Sequence, residues 1–242
     1  MKINKIIRSL VAVMMLGGCA HFEFAPDFVY REIETEEFRL ASWQKITDER
    51  APYKIYIEGD GFAFNAHGRP TGDPTPRGEL VRRLAQKDRA ANVVYLARPC
   101  QYVRTARCEA KYWTDARFAV EVIAAEYQAI KQITKGRPVV LIGFSGGAQV
   151  AGLLAVTTDL KVIEVITIAG NLDHRAWTKY HKLPELKSSL TLADFRDEFM
   201  KIPQKHYVGG KDKVVPPELS REFVRDEAEL VVVPEATHSS GW

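Results

Sequence analysis

Residues 139–152 read VVLIGFSGGAQVAG, an apolar run that halts at a serine fenced by glycines and resumes with a different period. Val139, Val140, Leu141 and Ile142 follow one another without polar alternation, the pattern of a strand covered on both faces within a parallel sheet. Past the glycines, Ala148, Val150, Ala151, Leu153 and Leu154 keep an apolar face at helical spacing. The chain must therefore reverse sharply around residues 144–147, which puts Ser145 at the tip of the turn.

The same alternation of strand and helix extends to both sides. Upstream, EFRLASWQ (37–44), YKIYIEG (53–59) and NVVYLARP (92–99) read as strands, ELVRRLAQK (79–87) as a short helix, and NAHGRPTGDPTPRG (65–78) as a polar loop. Residues 114–135 place Ala119, Val122, Ile123, Ile130 and Ile133 on one helical face, with Thr114 and Asp115 suited to the helix start. Downstream come the strand KVIEVITIAG, an excursion over 171–203, the strand KHYVGG, the helix PELSREFVRDEA and the strand ELVVVPE. Strands alternating with helices at these lengths predict an α/β fold with a mostly parallel sheet and helices on both faces. At 242 residues, this is one domain, with 171–203 as a possible cap segment.

The N-terminus has a separate logic. Lys2, Lys5 and Arg8 precede a short apolar stretch over 10–16, the layout of an export signal. Leu16-Gly17-Gly18-Cys19 is similar to the bacterial lipoprotein cleavage box, which implies a signal peptide over 1–18 and lipidation of Cys19. Residues 19–36, including REIETEE, then read as a tether, and 37–242 as the folded domain. The resemblance implies a protein lipid-anchored in the cell envelope. Ala20, where many retained lipoproteins carry aspartate, favours the periplasmic face of the outer membrane if the cell is Gram-negative. The formal charge of +3 equals the charges of Lys2, Lys5 and Arg8, so the remaining chain is formally neutral and has no basic stripe for nucleic acid. With Cys19 assigned to lipid, Cys100 and Cys108 remain. Across a short loop in an export compartment they are expected to form a disulfide rather than two free thiols, and no His/Cys cluster accompanies them to hold metal.

Gly143-Phe144-Ser145-Gly146-Gly147 fits G-x-S-x-G in the strand–turn–helix setting that gives the motif meaning. From about Tyr53 onward the chain resembles the α/β-hydrolase superfamily, which implies a serine, an acid and a histidine in that order. Ser145, Asp212 in YVGGKDKVVPP and His238 in VVVPEATHSS occur in that order, each beyond a predicted strand. Asp173 in AGNLDH is the rival acid, since it also follows a strand. Of six histidines, only His238 has the expected place after the final strand, and the chain ends at Trp242 without the terminal helix common in the superfamily. The resemblance also implies an oxyanion hole from the amide of Gly146 and that of Asp60 or Gly61 in IYIEGDGFAF, where Glu58 stands at a position often held by histidine. Glu58 and Asp60 would oppose a developing negative charge unless neutralised or turned away, and Arg98 is the expected partner.

These features imply a serine hydrolase acting on a small-molecule or lipid-like acyl substrate through an acyl-enzyme, with no cofactor and no metal. The acidic EGDG loop and the short C-terminus leave a second reading, a non-catalytic envelope binding or assembly lipoprotein on the same scaffold.

Overall fold

The computed structural model describes residues 23–242, so the signal segment and Cys19 lie outside the described residues. Eight strands form one sheet: β1 (Val29–Glu34), β2 (Arg39–Ile46), β3 (Tyr53–Ile57), β4 (Asn92–Leu96), β5 (Val139–Phe144), β6 (Val162–Ile168), β7 (Gln204–Gly209) and β8 (Leu230–Val233). The helices are α1 (Leu80–Lys87), α2 (Val120–Thr134), α3 (Gly146–Thr157), α4 (His174–Tyr180), α5 (Arg196–Phe199) and α6 (Glu218–Arg221). The strand order is β1-β2-β4-β3-β5-β6-β7-β8, and β2 alone runs against the rest.

The unalternating strands are explained by two cores, one on each face of the sheet. On β5, Val139 and Leu141 join the core beneath α2 and α3, whereas Val140 and Ile142 join Val81 and Ala85 of α1 on the other face. Both faces of a parallel sheet are dry, so consecutive residues are apolar. The crossover connections place the C-terminal ends of β3, β5, β6, β7 and β8 side by side, which is where loops of such a sheet converge on a site.

Four expectations change. The segment read as a tether contributes β1, paired antiparallel to β2, while Phe24 stacks on Trp43 at 5.0 Å and Phe28 is buried. An edge strand held by its backbone ladder shows little apolar period, and nearly all of VYREIE is exposed. The helix expected from Thr114 begins at Val120, because residues 110–113 form a 3₁₀ turn burying Tyr112 and Trp113 and the Thr114 hydroxyl bonds back to the Ala110 carbonyl. The helix read over 217–228 is the single turn α6. The 171–203 excursion is not wholly a cap: Leu192 and Phe199 belong to the core beneath α3, while Trp177 lines the cavity that holds Ser145.

The disulfide between Cys100 and Cys108 is present, with a Cα–Cα separation of 5.6 Å. Its loop carries Gln101, whose side chain donates to the Gly59 carbonyl at 2.9 Å and accepts from the Arg98 amide at 3.1 Å. The bridge therefore braces the loop that follows β3.

Candidate active site

Ser145 sits between the end of β5 and the start of α3 with φ +52° and ψ −122°. A non-glycine residue in this conformation is strained, and the surrounding backbone imposes it: the Ser145 amide donates to Ile168, and its carbonyl accepts from Asn171 and Ala148. The turn also needs small neighbours. A Cβ on Gly147 would lie 2.5 Å from the carbonyl oxygens of Ile57 and Glu58, and one on Gly146 would lie 2.2 Å from Asp60 Oδ1.

His238 Nε2 is 3.0 Å from Ser145 Oγ, and His238 Nδ1 is 2.9 Å from Asp212 Oδ2. Asp212 is held by its other oxygen, which accepts from the amides of Val214 at 2.8 Å and Val215 at 2.9 Å in the turn after β7. The carboxylate therefore accepts the Nδ1 proton, leaving the Nε2 lone pair facing the serine hydroxyl. The loop after β8 is fastened to the Asp212 loop by Gly210 N–H to Val233 at 2.8 Å and Lys211 N–H to Ala236 at 2.9 Å, while the Phe144 ring packs 5.1 Å from the imidazole. These ties hold His238 in place.

Asp173 has a different task. It caps α4, accepting from the amides of Arg175 at 2.8 Å and Ala176 at 3.2 Å, and the acid brought to His238 is Asp212. Among the described residues, the other histidines are also placed elsewhere. His206 is buried between Thr167 and Gln204, and burial lowers its pKa to about 4.

Asp60 and Gly61 line the same cavity as Ser145 and His238. Among the described residues, the amides of Gly146, Asp60 and Gly61 donate to no protein acceptor. That leaves them available to an oxygen of a bound molecule.

The two acidic side chains of the β3 loop are compensated differently. Glu58 is buried and turned onto protein donors, accepting from the Gly59 amide at 2.9 Å and the Tyr95 hydroxyl at 2.7 Å. Burial pushes its carboxyl pKa up, and those two bonds pull it back. Asp60 is paired with Arg117 Nη1 at 2.5 Å, and Arg98 Nη1 lies 3.6 Å from its other oxygen. Arg98 was the expected partner, but Arg117 is the closer one. Arg98 also donates to the Arg117 carbonyl and lies 3.6 Å from Glu126, a wholly buried carboxyl on α2. Desolvation raises the Glu126 pKa to about 8 against the pull of Arg98. Glu126 had a signal in the sequence, a lone acid on the apolar face formed by Val122, Ile123, Ile130 and Ile133. Arg117 had none, because it lies in a loop whose course is set by tertiary packing.

No family model matches the sequence, and no curated protein matches it. Solved structures do match. Est1E from Butyrivibrio proteoclasticus superposes with a TM-score of 0.61 at 14% identity, covering 87% of this chain and 90% of its own. The chain has the α/β-hydrolase fold. An alpha-beta serine hydrolase homologue from Coxiella burnetii matches with a TM-score of 0.55 at 16% identity, covering 91% and 92% of the two chains. The thioesterase domain from the curacin biosynthetic pathway matches with a TM-score of 0.58 at 13% identity, covering 88% and 94%. At these identities, the likeness establishes the α/β-hydrolase fold, and the chemistry has to be argued from the site.

Proposed function

We propose that the protein is a serine hydrolase of acyl ester or related bonds, acting through an acyl-enzyme on Ser145. The observation that carries this reading is the unbroken chain from Ser145 Oγ through the His238 ring to Asp212, at 3.0 and 2.9 Å. Ser145 Oγ attacks the acyl carbon as His238 Nε2 takes its proton, and Asp212 steadies the imidazolium. Negative charge gathers on the carbonyl oxygen, where the amides of Gly146 and of Asp60 or Gly61 receive it. Collapse breaks the bond to the leaving group, which departs with the proton from His238. Water, deprotonated by the same ring, then releases the acid and restores the serine. The names of two similar structures, a serine hydrolase homologue and a thioesterase domain, agree with this chemistry.

A fluorophosphonate probe should label the folded wild type at Ser145 and leave Ser145→Ala unlabelled. Equal labelling of both would remove the catalytic assignment. The non-catalytic alternative would be supported by His238 standing far from Ser145 together with an unreactive Ser145, and the 3.0 Å contact counts against it.

Lipid anchoring in the envelope belongs to the same proposal. It is supported by the charged and apolar pattern of residues 1–18, by Cys19, and by a disulfide that suits an oxidising compartment. Metabolic palmitate labelling should mark the wild type and Ser145→Ala alike and disappear in Cys19→Ser. Undiminished labelling of Cys19→Ser would exclude the anchor.

A further inference from the structure

The cavity that holds Ser145 and His238 measures about 470 Å³ and is not the only hollow at this end of the sheet. A second, of about 530 Å³, lies between the loop after β3 and the first part of the 171–203 excursion. Phe64, Arg117 and Trp177 line both, so the two hollows adjoin across a shared wall. The far side of the second is apolar, with Leu183, Pro184 and Leu186 facing Phe64.

We infer that this second cavity receives the acyl portion of the substrate, and that the preferred substrates are esters or thioesters of uncharged, medium-length aliphatic or aryl acids. The inference rests on the hydrolase reading and deepens it.

Three observations carry it. The first concerns sidedness. The leaving group must depart beside His238 Nε2 to collect its proton, whereas the acyl group stays on Ser145. His238 and Ser239 line the first cavity and not the second, which adjoins the first across Phe64, Arg117 and Trp177, away from the histidine. The arm that fits there is the one remaining attached to the serine.

The second concerns charge. An arginine at the junction would ordinarily select an anionic substrate, but Arg117 is already engaged: its Nη1 is held by Asp60 at 2.5 Å, and its Nε donates to the Thr114 carbonyl at 2.7 Å. Asp115 and Glu185 also border the second cavity and disfavour a negatively charged chain end. An uncharged arm is what remains.

The third concerns exposed apolar surface on a fixed frame. Phe64 is 40% exposed and Leu183 47% exposed, unusual for large apolar side chains that flank one opening. The frame behind them is pinned. The Trp177 indole donates to the Val214 carbonyl at 2.7 Å, His181 Nε2 meets the same oxygen at 2.8 Å, and Phe64 pairs with Pro70 in a β-bridge. A preformed apolar wall draws binding energy from each methylene it removes from water, roughly fourfold in kcat/KM per group when fully buried.

The test is a series of p-nitrophenyl esters from acetate to dodecanoate, run on the wild type, Leu183→Trp and Leu186→Trp. The wild type should favour decanoate over acetate by at least tenfold in kcat/KM. Either tryptophan should lower that decanoate-to-acetate ratio by tenfold or more, with the loss carried mainly by KM. Leu186 is buried and its replacement puts the fold at risk, so Leu183→Trp, on the half-exposed wall, provides the decisive variant; thermal melts check both. A flat chain-length profile, or a ratio that Leu183→Trp leaves unchanged, overturns the acyl assignment while acetate turnover and probe labelling at Ser145 keep the hydrolase reading. Absence of both turnover and labelling overturns the two together.

Discussion

On one wall of the cavity, Ser145, His238 and Asp212 meet through two hydrogen bonds of 3.0 and 2.9 Å, each side chain delivered by the loop at the end of its own strand. On the facing wall, Asp60 is held by Arg117 at 2.5 Å and approached by Arg98 at 3.6 Å, and Arg98 lies another 3.6 Å from buried Glu126. The first wall is neutral donors and acceptors in line with one ionised acid at its end. The second is a set of charges that must cancel. Orientation governs the first, so a change there should act through which atom carries a proton. Compensation governs the second, so a change there should be repairable by removing the opposite charge.

The largest effect is expected at Asp212. In Asp212→Asn the amide oxygen can still accept from Val214 and Val215, which turns the NH₂ group toward His238 Nδ1. The imidazole must then carry its proton on Nε2 and cannot serve as base to Ser145. kcat should fall by about 10⁴-fold with the fold intact, as expected for a triad acid that fixes a tautomer. Asp173→Ala provides the contrast: it removes the cap of α4 at a cost of about 1 kcal/mol in stability and should leave kcat within a few-fold of wild type. Steady-state kinetics on one ester, with thermal melts, read both. A larger kcat loss in Asp173→Ala than in Asp212→Asn would reverse the assignment of the acid.

The first wall was legible in the sequence and the second only in part: Asp60 with Arg98 could be read, and Arg117 could not. A strained turn between a buried strand and a helix has few residue solutions, so Gly143 through Gly147 announce Ser145, and chain order after the strands then points to Asp212 and His238. Asp173 could be set aside only by seeing its carboxylate bonded to the amides of Arg175 and Ala176. The two-core sheet was legible because runs such as VVLI on β5 have no polar alternation. β1 was missed because its holding force is a backbone ladder, which leaves no trace in side-chain period. Arg117 was missed because a salt bridge across 57 residues depends on where a 3₁₀ turn ends and α2 begins, and packing of Tyr112, Trp113 and Phe118 decides that.

The smaller effect, and the one that sharpens the contrast, is expected at Arg117. Its guanidinium compensates a carboxylate whose Oδ1 lies so close to Gly146 that a Cβ there would be 2.2 Å from it, beside the amide proposed to receive the oxyanion. Arg117→Met leaves Asp60 with Arg98 alone at 3.6 Å. An uncompensated negative charge opposes the transition state more than the bound ester, so kcat should drop by about 10²-fold with KM changed little, comparable to losing one oxyanion donor. Asp60→Asn in the same chain removes the offending charge while keeping the side chain's shape, and should recover at least tenfold of that loss. A double-mutant cycle on kcat isolates the coupling, provided melts show all three variants folded at the assay temperature. If Asp60→Asn only adds to the loss from Arg117→Met, the pair acts by packing, and the facing wall would then depend on orientation as the triad wall does.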